Sequence, residues 1–172
     1  MTWIFDTTPL IYLAKAERVE IIETVSAPRL VPERVYREVV TEGIEGGYDD
    51  ARRIERAVED RGLDVVEVDF DGSTVATRLE RHSGLSDADI AALACADARD
   101  GVAVMDEAAG RSAAAVEGVE TRGTAYVVLL AVKRGKLSAE AGREAIDAMI
   151  DRGWYVAPDV YMKIVRKLES FE

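Results

Sequence analysis

A chain of 172 residues is long enough for one well-cored domain and short for two. Hydrophobic residues make up 48% and charged ones 32%, with no long polar tract and no apolar run of about 18 residues, which excludes a disordered chain and a helical membrane span. Asp and Glu outnumber Lys and Arg by 33 to 22, so a net charge of -11 argues against generic electrostatic attraction to nucleic acid.

Trp3 to Phe5 read as a short apolar strand, after which Thr8 is an N-cap and Pro9 the first residue of the helix PLIYLAKA. Arg29 to Val31 form a second strand or extended entry. Pro32 then opens the helix PERVYREVV, whose Val35, Tyr36, Val39 and Val40 make an apolar stripe at helical spacing. The stretch EGIEGGYDD, from Glu42 to Asp50, has paired glycines and reads as a loop, with a helix from Asp50 to Asp60 beyond it. LDVVEV, from Leu63 to Val68, suits a strand, and Ser73 to Arg81 a short helix. SDADIAALACADARD is a strong helix and VAVM a fully buried strand. Three more helices are expected at about Ala125–Arg134, Ala139–Arg152 and Asp159–Leu168. The alternation predicts an α/β fold: three layers, α/β/α, around a short and mostly parallel sheet. No repeat or linker interrupts it, so residues 1–172 are expected to form one domain, with C-terminal helices at about 138–170 packed as part of it.

The lone cysteine, Cys95, lies in DIAALACADA, where a small buried side chain is expected and no intramolecular disulfide can form. With Cys95 and a single histidine, His82, a thiolate and imidazole zinc site has too few ligands, so any metal must be held by oxygen. His82, before Ser83-Gly84, reads as an exposed helix-end residue. Lys163, Arg166 and Lys167 read as a solvated face, while Trp154 and Tyr155 are expected to pack rather than to stack on bases. The start, MTWIFDTTP, has no basic leader before an apolar segment, which makes the cytoplasm the default location. Two features temper the acidic charge: the cations are mostly Arg, suited to phosphate, and acidity spread over a surface matches a salty, halophilic cytoplasm, where charges are screened within a few ångströms.

The carboxylates carry the chemistry. Asp6 and Asp106 each follow a short buried strand, at the carboxyl edge where α/β sheets build their sites. Either could merely cap the next helix, although Thr8 already serves that purpose after Asp6. Glu38 lies about 60° round its helix from Val35, on the border of the buried stripe, and Glu42 one turn later is an alternative. Asp87 and Asp89 face about 200° apart on a helix and cannot aim at one point. Ser86 with Asp89 matches a capping box, so Asp89 reads as structural, leaving Asp87 to project into a site. Carboxylates converging without cations would repel and take up protons. Mg²⁺ or Mn²⁺ would relieve that, and a pair of ions about 4 Å apart suits phosphodiester hydrolysis.

FDTTPLIYLAKA, PERVYREV, SDADIAALACA and VAVMDE, in that order and over nearly the whole chain, resemble a PIN domain of the VapC toxin type. The resemblance implies Asp6, Glu38, Asp87 and Asp106 as the catalytic, metal-holding set. It leaves room for Asp89 in place of Asp87, for Glu107 as a further acidic ligand, and for Thr7 either near the metal or in the turn. It is closest to a branch with an Arg after the last acidic pair and a Gly-Thr before the next helix, here DEAAGR (Asp106–Arg111) and RGT (Arg122–Thr124). It implies a Mg²⁺- or Mn²⁺-dependent endoribonuclease that cuts RNA in line, leaving 5′-phosphate and 3′-hydroxyl ends. It also implies a homodimer and a small antitoxin partner whose Arg or Lys could replace the metal charge. A PIN-like binding or assembly module without catalysis is the alternative towards which the net charge leans. A carboxylate-dependent phosphatase or a flap nuclease is a third, for which the chain is short.

Overall fold

Trp3 and Phe5 join the core on one face of a sheet and Ile4 the core on the other, as the two-residue period of a strand requires. Val102 and Val104 divide from Ala103 in the same way. Strands so short and apolar on both faces suit a sheet covered by helices on both sides. The computed structural model describes residues 1–60, 62–82 and 84–172. In it β1 (Trp3–Phe5), β2 (Arg29–Pro32), β3 (Leu63–Val66), β4 (Val102–Val104) and β5 (Glu120–Arg122) form a five-stranded sheet of order β3-β2-β1-β4-β5. Every neighbouring pair is parallel, so the sheet is wholly rather than mostly parallel.

One core lies between the sheet and α1 (Thr7–Lys15), α4 (Asp49–Asp60), α8 (Thr124–Lys133), α9 (Ala139–Asp151) and α10 (Pro158–Glu169). The other lies under α5 (Thr74–Leu79), α6 (Asp87–Ala98) and α7 (Ala108–Glu117). In α6 every residue from Ala88 to Ala96 is buried, as expected of a helix that is apolar nearly all round. Cys95 is among them, and burial pushes its thiol pKa up. No described helix is long and apolar enough to cross a membrane.

Several elements depart from the sequence pattern. Helix α1 starts at Thr7, with Asp6 rather than Thr8 at the N-cap, because the Asp6 N–H still donates to the Val104 carbonyl at 3.1 Å and the chain turns immediately afterwards. Pro9 falls within the first turn, where its missing N–H costs no helical bond. The expected loop from Glu42 is largely helical. Helix α2 (Glu33–Tyr36) widens into a π-helical turn (Arg37–Glu42) and closes in the short α3 (Gly43–Glu45). Helix α7, strand β5 and a 3₁₀ turn (Val19–Thr24) had no distinct signal: AAGRSAAAVE is too rich in alanine to show a stripe, and ETR is polar at a sheet edge. Trp154 packs as expected, but Tyr155 is 84% exposed. Ser83 lies outside the described residues.

Leu93, fully buried in α6 beneath the second core, tests the packing. Leu93→Ala should destabilise the protein by about 2–5 kcal/mol, read as a lower urea midpoint at unchanged slope.

Candidate metal centre

The strand order reverses beside β1: the chain leaves β1 for β2 on one side and later returns to β4 on the other. In an open parallel sheet that reversal opens a crevice beyond the carboxyl ends of the two strands. A cleft of about 270 Å³ lies here, lined by Asp6, Thr7, Thr8, Glu38, Gly84, Ser86, Asp89 and Glu107.

Asp6 is the fixed point of the cleft. It is 3% exposed, and its Oδ1 and the neighbouring Thr7 Oγ1 are buried without a hydrogen-bond partner among the described residues. Burying polar oxygens unpaired is costly, more so when one is charged. The Asp89 carboxyl lines the same cleft. Burial above all, then the negative charge of Asp89, holds the Asp6 carboxyl well above the usual carboxylate range; the Thr7 backbone N–H offsets this in part, and Glu107 adds to it. Glu38 shows the same effect at the rim, raised by partial loss of water and then by Glu42, Asp89 and Glu107.

Local structure explains how each acid arrives. Glu38 is carried on the π turn, whose wider winding shifts the angles that regular α geometry assigns. Asp89 closes the capping box of α6: its Oδ2 accepts the Ser86 N–H at 3.0 Å, while its own N–H donates to Ser86 Oγ at 3.1 Å. The box occupies one carboxylate oxygen, so capping does not take Asp89 out of the cleft. It clamps Asp89 there, at a helix N-terminus that tolerates negative charge. Glu107, at the N-cap of α7, completes the lining.

Two other expected members have protein partners of their own. The Asp87 side chain is 77% exposed and pairs with Arg34 Nη1 at 2.9 Å. Asp106 is engaged by α8 and by the segment before α10. Its Oδ1 accepts the Thr124 N–H at 2.8 Å, and its Oδ2 accepts the Thr124 hydroxyl at 2.7 Å and the Trp154 Nε1–H at 3.2 Å. This contact also accounts for DEAAGR and RGT. A Cβ on Gly123 would lie 3.1 Å from Asp106 Oδ1 and 3.2 Å from Arg111 Nη1, so a larger residue before Thr124 would require both side chains to shift where the two segments meet. The structure thus brings Asp6, Glu38, Asp89 and Glu107 to one cleft and leaves Asp87 and Asp106 outside its lining. The sequence does carry the signal for Asp89, in the capping box itself, because a carboxylate has a second oxygen to offer.

Among the described residues, no three carboxylate, imidazole or thiol groups stand close enough to clasp one ion as they are arranged. The chemistry of the donors nevertheless fits a hard divalent cation: an orphaned buried carboxylate oxygen, an orphaned hydroxyl, and an adjoining carboxyl forced against a like charge. Glu38 and Glu107 are on exposed side chains at the rim.

A family model for a PIN domain matches residues 2–170. The chain belongs to the PIN-domain family. PIN domains are typically nucleases and generally use divalent metal ions. Neither the curated proteins nor the solved structures give a significant match to this chain. In this PIN domain, then, the acid after β1 lies in the cleft, and the acid expected after β4 has its neighbour Glu107 there instead.

A raised carboxyl pKa favours folding while the group is protonated. That contribution is complete below the unfolded value, near 3.8 for Asp6, and is lost as pH rises through the folded value. In chelator, Asp6→Asn should therefore unfold at a higher temperature than the parent at neutral pH, with the gap narrowing at mildly acidic pH. Asp106→Ala should instead lose about 1–3 kcal/mol with its hydrogen bonds to Thr124 and Trp154, while leaving the thermal shift produced by added Mn²⁺ unchanged.

Proposed function

We propose that this PIN domain is an endoribonuclease that hydrolyses RNA phosphodiester bonds with Mg²⁺ or Mn²⁺, held by Asp6 and Asp89 with Glu38 and Glu107. The observation that carries this reading is the unpartnered, buried Asp6 oxygen in a cleft shared with a second carboxyl, Asp89, at the sheet's switch point. At neutral pH such a pair either keeps a proton or takes a cation. A bound divalent cation would polarise a phosphoryl oxygen and make a water more acidic. Asp6 supplies a donor fixed by the strand end, and Asp89 one fixed by the capping box. Glu38 and Glu107, coming from separate elements, bound the cleft on other sides. Thr7 adds a hydroxyl beside the carboxylates.

RNA as the substrate rests on the resemblance to the VapC type. So do a toxin role with a small antitoxin and a homodimer; a cytoplasmic setting is the default reading of the N-terminal sequence. A partner's Arg or Lys placed between Asp6 and Asp89 would meet the same electrostatic need as the cation. A second reading, a binding or assembly module without catalysis, has one observation in its favour: no three donors are within clasping distance in the described arrangement.

Purified protein incubated with structured and unstructured RNA should cleave in Mn²⁺ or Mg²⁺ and not in chelator. Asp6→Asn and Asp89→Asn should each lose at least about 10²-fold in rate, the scale seen when one charge-stabilising group is removed. Cleavage that persists in chelator or in Asp6→Asn would sink the mechanism, and absence of cleavage across the RNA panel would favour the binding module.

A further inference from the structure

Beside the carboxylate cleft, on the same two helical elements, is a feature the nuclease reading does not use. Arg34 precedes Glu38 by four residues, and Asp87 precedes Asp89 by two. The Arg34 to Asp87 contact therefore bridges the two elements that carry site carboxylates, across 53 residues of chain. The Arg34 guanidinium also lies over the Phe70 ring, 5.2 Å from its centroid. Arg34 and Phe70 line a small cleft of about 220 Å³ together with Arg37, Val68, Glu33 and Glu67.

We infer that Arg34, stacked on Phe70 and assisted by Arg37, is the subsite for a phosphate of the RNA strand flanking the bond to be cut, and that Asp87 is its stand-in when RNA is absent. This inference rests on the ribonuclease reading of the neighbouring cleft. An ion pair with side chains 45% and 77% exposed adds little to folding stability, so an incoming anion displaces Asp87 at small cost. A guanidinium is suited to that exchange. It presents several donors in one plane, only Nη1 is bonded to Asp87, and its place over the Phe70 ring restricts where the group can move. Position supports it as well: Arg34 is bonded to Asp87, and Ser86, the residue before Asp87, lines the carboxylate cleft, so the subsite adjoins the path of a strand that enters it. Glu33 and Glu67 line the same cleft, and Glu33 lies 3.5 Å from Arg37, which weakens the hold on an isolated phosphate. The subsite therefore favours a chain anchored elsewhere too. In a protein of net charge -11, a localised cationic contact of this kind lets a polyanion approach an acidic site.

The test is fluorescence anisotropy of the full chain with short single-stranded RNA of mixed sequence, in chelator so that nothing is cleaved, over a salt series. Arg34→Gln should weaken binding about tenfold, as the loss of one hydrogen-bonded charged contact does. It should also flatten the dependence of log affinity on log salt by about 0.7, the share of one phosphate on a single strand. Arg34→Lys should keep the slope and lose part of the affinity. Asp87→Asn, which removes the competing carboxylate, should tighten binding severalfold; this variant and Arg34→Lys keep the test open if Arg34→Gln folds poorly. Failure of the parent protein to bind RNA, an unchanged affinity and slope in Arg34→Gln, or weaker binding in Asp87→Asn would each overturn the inference. RNA that is bound in this pattern but never cut in Mn²⁺ would remove the nuclease reading and leave the subsite standing. RNA that is cut with an unchanged KM in Arg34→Gln would do the reverse.

Discussion

Asp6 and Asp89 bring two carboxyl groups to one cleft at the end of the central strand, where the charge of Asp89 acts on Asp6, itself almost wholly withdrawn from water. Much of the site follows from that constraint. A carboxylate at the end of β1 cannot avoid burial, because β1 lies in the middle of the sheet with covered faces on both sides. Asp89 cannot withdraw, because the Ser86 N–H holds one of its oxygens. The like charges are locked together by the backbone, and the free energy this costs is recovered only when a proton or a cation enters. That need is what the proposed divalent cation would meet.

The same economy of carboxylate oxygens separates the remaining acids. Asp106 has both oxygens engaged, by Thr124 and Trp154, and in this way ties the end of β4 to α8 and to the entry of α10. Glu107 has no such engagement at its N-cap, and it is Glu107 that lines the cleft. Asp87, on the far side of its helix from Asp89, finds Arg34. Adjacent or near-adjacent acids thus divide into one that faces the cleft and one that braces or balances the surface around it. The DEAAGR and RGT segments belong to the bracing role through the close approach at Gly123.

Short buried strands, the strong α6 pattern and the Ser86–Asp89 cap were legible in the sequence because each depends on local periodicity or on residues three or four apart. They were enough for an α/β fold with a parallel sheet and for placing Asp6 at a strand end. The π turn around Glu38 was not legible, since a change in helical winding leaves the apolar stripe of Val35, Val39 and Val40 intact. Nor was α7, where the buried Ala113 and Ala114 do not contrast with the exposed alanines around them.

What the sequence by itself determined is the supply of chemistry: oxygen donors in abundance, one histidine and one cysteine, and acids positioned after strands and at a helix start. What only the tertiary structure decided is which acid of each pair meets the others. Asp89 and Glu107 line the cleft with Asp6, while Asp87 and Asp106 have side-chain partners distant in the chain. Arg34 lies 53 residues from Asp87, Thr124 lies 18 residues from Asp106, and Trp154 lies 48. No local periodicity encodes contacts at those separations; they come into being when the sheet order brings β1, β4 and the C-terminal helices together.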